Sequence, residues 1–388
     1  MKWAMKSHFA RLLIAVAAVV GTVLTLPGLA QAAPPAGPRA VVAIGDSVPA
    51  GEAAGAYERG TDQAGDFCHR SARAYIQVAA IPGTQRRFNL ACSGATTANV
   101  ALDGTSRYGE APQAQRLRPI AQANRVTLVT VTVGANDVGF ADLVLDCIKA
   151  YFLLAPRCQD VWKDRVPSRL ATAGPKLAAD LADIRAVMRG AGYTDSSYQL
   201  VVQSYSSPVT EDNRYFFTRA FEGCPHRFDD AKWARESVIP QFTAAMSRSA
   251  TQAGARFLDM GPALRGREVC ARGISHAQEW VKGITIDAAQ ILKGLGGNLV
   301  QQSLHPNALG HAEYGRCLAG FAAIPDKAAR CVRQPDGTLA AVPVPPTVMA
   351  AAVRTGPVPR IAEPPLYDRT TAYRLEAERN AARGHSPR

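Results

Sequence analysis

Four short stretches carry residue types suited to nucleophilic chemistry. Ile44-Gly45-Asp46-Ser47-Val48 directly follows the apolar run Val41-Val42-Ala43-Ile44. A buried strand ending in Gly, then a small polar residue, then Ser, can turn sharply and lift the hydroxyl above a sheet edge, so Ser47 is the candidate nucleophile. Gly-Asp-Ser also makes ordinary turns, so the weight comes from distant residues. A serine hydroxyl needs a base to take its proton. A tetrahedral intermediate needs donors placed beforehand for its oxyanion, and the base needs a third group to orient it. Gly94, in Cys92-Ser93-Gly94-Ala95-Thr96, can bring its N–H close to a ligand because glycine lacks a Cβ. Asn136, in Gly134-Ala135-Asn136-Asp137, offers a side-chain amide; the competing reading is a turn or helix cap. His305, in Ser303-Leu304-His305-Pro306-Asn307, is the candidate base. Pro306 favours an extended or turn conformation before it, and Asn307 can cap the helix that follows. His69, His226 and His311 are less suitable, lying beside a cysteine, in a loop and one turn into a helix.

The elements that must position these residues read as an alternation. Buried strands are expected over residues 40–44, 88–91, 126–133, 199–204 and 255–258, the clearest being the β-branched run 126–133. Helical patterns fall between and after them, at 71–80, 112–123, 168–188, 231–252 and 308–322. This predicts a parallel sheet covered on both faces, with ligands at the carboxyl ends of the strands. Ser47, Gly94 and Asn136 each fall just past such an end. Residues 38–332 suit one large domain. Residues 333–388 hold nine of the 26 prolines and are expected to form a disordered tail.

Residues 1–32 read as a secretory signal. Lys2, Lys6 and Arg11 precede an apolar stretch at 12–26, and Ala30-Gln31-Ala32 fits a small-x-small cleavage site. A secreted protein is expected, cleaved near Ala32, and removal of the segment takes the formal charge from +12 to +9. That excess allows peripheral contact with an anionic membrane or cell wall. No basic cluster with interleaved aromatics points to nucleic acid. All eight cysteines lie beyond the signal, and an even count in an exported chain argues for disulfides. Spacing favours neighbours in order: Cys68–Cys92, Cys147–Cys158, Cys224–Cys270 and Cys317–Cys331. No Cys-x-x-Cys or His-Glu-x-x-His is present, so neither a metal nor another cofactor is expected.

In order, the four stretches resemble the blocks of the SGNH (GDSL) hydrolase superfamily, over about residues 40–325. Cys68-His69-Arg70-Ser71, the 89–94 stretch and Gly266-Arg267-Glu268-Val269-Cys270 resemble its secreted, disulfide-bearing actinobacterial esterases and lipases. The resemblance implies a flavodoxin-like three-layer α/β/α sandwich with a central parallel sheet. It also implies Ser47 as nucleophile, an oxyanion hole of Ser47, Gly94 and Asn136, and His305 as base. Such relatives pair their cysteines in sequence order and need no metal. The chain departs from many of them in having Gln302 where an Asp precedes the histidine by three residues. The expected orienting group is therefore the Gln302 main-chain carbonyl, with Asp259 as a weaker alternative. Tyr151, Phe152 and Leu153, between Cys147 and Cys158, are candidates for contact with an acyl chain. Trp280 is read as core. The expected activity is hydrolysis of carboxylic esters, of lipid or small-molecule substrates, by a monomer. The alternatives are a carbohydrate acetyl esterase on the same scaffold and a non-catalytic wall- or ligand-binding protein.

Overall fold

In β1, Arg39–Gly45, and β3, Arg125–Thr132, every second side chain faces the same way, yet both faces are apolar. Val41, Ala43 and Leu128 belong to one buried cluster, and Ala40, Val42, Ile44, Val126, Val129 and Val131 to another. Strands apolar on both faces must be covered on both, and the remaining elements supply that cover. The computed structural model describes residues 34–152, 156–215, 218, 220–284 and 301–345. The expected signal segment and most of the expected tail lie outside the described residues.

In chain order the elements are β1, α1 (Ser47–Ala50), α2 (Tyr75–Val78), β2 (Arg86–Asn89), α3 (Thr97–Val100), α4 (Gln113–Ala123), β3, α5 (Ala135–Val138), α6 (Phe140–Phe152), α7 (Cys158–Trp162) and α8 (Arg165–Gly190). There follow β4 (Gln199–Gln203), α9 (Phe228–Trp233), α10 (Ile239–Gln252), β5 (Arg256–Asp259), α11 (Ala308–Ala323), β6 (Ala328–Arg333) and β7 (Leu339–Pro343). The sheet order is β2-β1-β3-β4-β5-β6-β7. β1 to β6 are parallel and β7 returns antiparallel on β6. Tyr75 and Ile76 of α2 and Tyr314, Leu318 and Phe321 of α11 cover one face. Leu117 of α4, Leu181, Ile184 and Met188 of α8 and Met246 of α10 cover the other. This is the three-layer, flavodoxin-like α/β/α architecture.

Two expectations are corrected. The domain does not end at 332: Leu339–Pro343 pairs with β6, and Leu339 is buried in the core, so the first part of the expected tail is sheet. The helix expected over 231–252 is two helices joined by a π-helical turn at Ala234–Val238. The cysteines are joined as Cys68–Cys92, Cys147–Cys158, Cys224–Cys270 and Cys317–Cys331.

In a doubly wound sheet a crevice opens where successive connections leave in opposite directions. Here that point lies between β1, whose chain leads to β2, and β3, whose chain leads to β4. The chain leaves β1 at Gly45, with φ +135°, and a Cβ there would lie 1.8 Å from the Thr132 carbonyl oxygen. Gly45→Ala is expected to destabilise the protein by about 3–5 kcal/mol. Urea unfolding measures this, and a change below about 0.5 kcal/mol would contradict the close approach.

Candidate active site

The turn after β1 is held from three sides. Asp46 N–H donates to the Thr132 carbonyl at 3.0 Å, and Cys92 N–H to the Gly45 carbonyl at 3.1 Å. The buried Gln113 amide closes both ends of Gly45, accepting from its N–H at 2.7 Å and donating to its carbonyl at 2.8 Å. Asp46 caps α1 by accepting from Val48 N–H at 3.1 Å and takes a second bond from the Tyr205 hydroxyl. Burial pushes its carboxyl up to about 7 against those two hydrogen bonds. With its cap fixed, Ser47 stands half-buried at the first position of α1.

Gly94 and Asn136 come from the neighbouring strand ends and are tied together. Gly94 has φ +74°, and a Cβ there would lie 2.1 Å from the Arg107 guanidinium, whose Nε donates to the Ser93 carbonyl at 2.7 Å. Gly134, at φ +124°, starts the turn that carries Asn136 into α5. The Asn136 side-chain amide donates to the Ala95 carbonyl at 2.8 Å. Asp137 accepts from the Thr97 N–H at 3.0 Å and from its hydroxyl at 2.6 Å. These bonds fix the Asn136 turn to the Gly94 loop, and the second N–H of the Asn136 amide is left for another acceptor.

His305 arrives from 258 residues away, and its Nε2 lies 2.7 Å from Ser47 Oγ. Its loop is clamped by backbone bonds. Leu304 N–H donates to the Lys282 carbonyl, Lys282 N–H to the His305 carbonyl, and Asn307 N–H to the Trp280 carbonyl, at 2.8–2.9 Å. The Asn307 side chain caps α11 through the Leu309 and Gly310 N–H groups. Leu304 is buried in the left-handed region at φ +61°, a conformation that costs a non-glycine residue energy and is kept only where surroundings demand it.

The Ser303 carbonyl joins the expected Gln302 carbonyl beside the ring of His305. Nδ1 of His305 lies 3.1 Å from the Ser303 carbonyl, while the Gln302 carbonyl accepts the His305 backbone N–H at 3.3 Å. The alternative acid, Asp259, accepts instead from Arg330 Nε at 2.8 Å and from Gly261 N–H at 2.9 Å. With Nδ1 donating, Nε2 is the basic nitrogen facing Ser47. Burial holds the His305 imidazole below its ordinary value, opposed by the charge of Glu52 and by the Ser303 and Gln302 carbonyls.

Beside the Ser47–His305 pair opens an apolar pocket of about 630 Å³, its mouth included. Phe140, Tyr205, Val238, Ile239, Phe242 and Leu304 form much of its wall. The π-helical turn before α10 presents Val238 to it, a recurrent use of such turns. Tyr151 and Phe152 sit at the end of α6 and are not part of this wall, Phe152 being 49 % exposed. Leu153 lies outside the described residues. Among the described residues, one group has metal-ligand spacing: Asp66, Cys68 and Glu110. Cys68 is in a disulfide and Glu110 pairs with Arg70 and Arg116, so this group does not suit a cation.

Residues 43–313 match the model of the GDSL-like lipase/acylhydrolase family. The chain belongs to this family. It is a carboxylic ester hydrolase. It is 25% identical over 277 residues to a lipase of Streptomyces rimosus, covering 70% of this chain and 82% of that protein. Over 129 residues it is 36% identical to Lipase 1 of Streptomyces coelicolor, covering 33% of this chain and 41% of that one. Among solved structures, phospholipase A1 of Streptomyces albidoflavus is 23% identical with a TM-score of 0.48, covering 70% of this chain and 94% of that one.

Sequence reading of this GDSL-family chain missed Gln113, Tyr205 and Glu52. Gln113 and Tyr205 reach the site only because α4 and β4 lie beside β1 and β3, which no local pattern encodes. Because burial lowers the His305 value, the acidic limb of the kcat/KM–pH profile is expected below the ordinary imidazole value of 6.5. If His305 is the base, activity is retained above that limb and lost as pH falls through it, since a protonated imidazole cannot take the Ser47 proton. An acidic midpoint above 6.5 would contradict this assignment.

Proposed function

We propose that this chain is a secreted serine esterase or lipase that cleaves acyl esters through an acyl-enzyme on Ser47. The observation that carries the reading is the 2.7 Å contact between Ser47 Oγ and His305 Nε2 at the mouth of an apolar pocket. His305 takes the Ser47 proton as the hydroxyl oxygen attacks the ester carbonyl carbon. The oxyanion is received by the N–H groups of Ser47 and Gly94 and by the Asn136 amide. Collapse of the intermediate breaks the ester C–O bond, and the leaving alkoxide takes the proton from His305. A water molecule then repeats the sequence and frees the acid. The Ser303 carbonyl favours the imidazolium through Nδ1–H, in the role a carboxylate fills in a triad.

The apolar wall favours the acyl side of an ester over a sugar. Four disulfides suit an oxidising compartment, and with the sequence of residues 1–32 they support export after cleavage near Ala32.

A serine-reactive fluorophosphonate is expected to label the wild type and not Ser47→Ala; no labelling of the folded wild type would favour a binding protein. Asn136→Ala is expected to lower kcat roughly 10²–10³-fold with little change in KM. A loss under about threefold would remove Asn136 from the oxyanion site. Across nitrophenyl esters of rising acyl length, kcat/KM is expected to rise beyond acetate and then fall once the chain outgrows the pocket. Highest activity on acetylated xylan would replace the acyl-lipid reading with the carbohydrate one.

A further inference from the structure

One buried ionisable pair takes no part in these steps. Glu52 and His69 are both 0% exposed, and His69 Nδ1 lies 2.8 Å from each Glu52 oxygen. The Ser93 hydroxyl also donates to Glu52, and His69 Nε2 lies 3.2 Å from Asp62. Taking a carboxylate out of water costs several kcal/mol, and a buried pair is often replaceable by apolar residues with no loss of stability. Its place in the fold calls for a reason other than stability.

That place is between the nucleophile and the base. Glu52 N–H donates to the Ser47 carbonyl at 3.0 Å. Its carboxylate accepts from Gln301 Nε2 at 2.9 Å, four residues before His305, and the same Gln301 nitrogen reaches the Phe67 carbonyl at 3.0 Å. One residue therefore joins the main chain of Ser47, through its backbone N–H, to the loop of His305, through its carboxylate.

We propose that Glu52 is a positioning residue for His305, supplying from a distance the negative charge that no side chain among the described residues supplies by contact and anchoring the His305 loop through Gln301. This rests on the reading of Ser47 and His305 as nucleophile and base. The charge is present when needed. Burial would raise the Glu52 carboxyl, but the His69 hydrogen bond and the charges of His305 and His69 hold it below its ordinary value. Burial would lower His69, but the hydrogen bond and charge of Glu52, with Asp62, raise it. As His305 titrates, Glu52 is thus negative and favours the imidazolium, and His69 is positive and partly offsets it. His311, pushed down to about 3 by burial, is neutral in this range. Lys282 bonds the Gln302 side chain at 2.8 Å and is unchanged in the variants below.

The test compares kcat/KM–pH profiles and melting temperatures of the wild type, Glu52→Gln and His69→Gln. Glu52→Gln is expected to move the acidic midpoint down by roughly half to one pH unit and to lower kcat up to about tenfold, the rate equivalent of one unit. The direction for His69→Gln follows Glu52: up if the buried carboxyl stays charged, down if it takes up a proton once its partner is gone. Midpoints that stay at the wild-type value while melting temperatures fall would show a structural role and overturn the proposal. If Glu52→Gln does not fold, Gln301→Ala decides: a lower kcat at an unchanged melting temperature supports the anchoring role, and an unchanged kcat overturns it. A wild type with no acidic limb and no Ser47 labelling would remove the underlying reading; a normal wild-type limb unmoved in the variants would remove only this inference.

Discussion

The site depends on the chain leaving β1 within a single residue. Gly45 makes the exit possible by adopting a φ closed to other residues while pressed against the Thr132 carbonyl. Gln113 makes it permanent by satisfying both of its backbone groups in a buried setting, where an unmade hydrogen bond costs about 1–3 kcal/mol. The hydroxyl is therefore placed by backbone geometry before any reacting group approaches it, which is the preorganisation that electrostatic catalysis requires.

The proposed base is placed by a different device. His305 sits on a loop rather than a sheet edge, and loops are rigid only when their backbone groups are paired. Here the neighbouring segment at 280–282 pairs with both sides of the histidine, and the capped start of α11 fixes the chain beyond it. A main-chain carbonyl can then orient the ring, because it cannot swing away as a side chain can. Cys68–Cys92 applies the same logic to the third wall, linking the segment of His69 to the loop of Gly94.

Much of this was legible in sequence because it is local. The run at 126–133 is a strand since β-branched residues on both faces suit a covered sheet, and Asn307 caps a helix since its side chain can reach back to free N–H groups. The four blocks lay at strand or helix ends, where period and turn chemistry are readable. What stayed hidden depends on tertiary placement. Residues 333–343 read as tail because proline and glycine suggest extension, yet β6 offered an open edge that Leu339–Pro343 could pair. The Ser303 carbonyl joined that of Gln302 beside the ring, next to a leucine whose positive φ its residue type does not advertise. Tyr151 and Phe152 are apolar and near the Asn136 block, whereas the pocket wall draws on the segment after β4, the start of α10 and the His305 loop.

Leu304 joins two of these features. Its side chain helps enclose the pocket, and its backbone, in the left-handed region, sets the direction of the adjacent imidazole. Whatever fills that cavity leans on the same residue that aims the proton acceptor. With His305 as the proposed base, fit in the cavity would reach its alignment, and selection among guests would register in turnover as well as in occupancy.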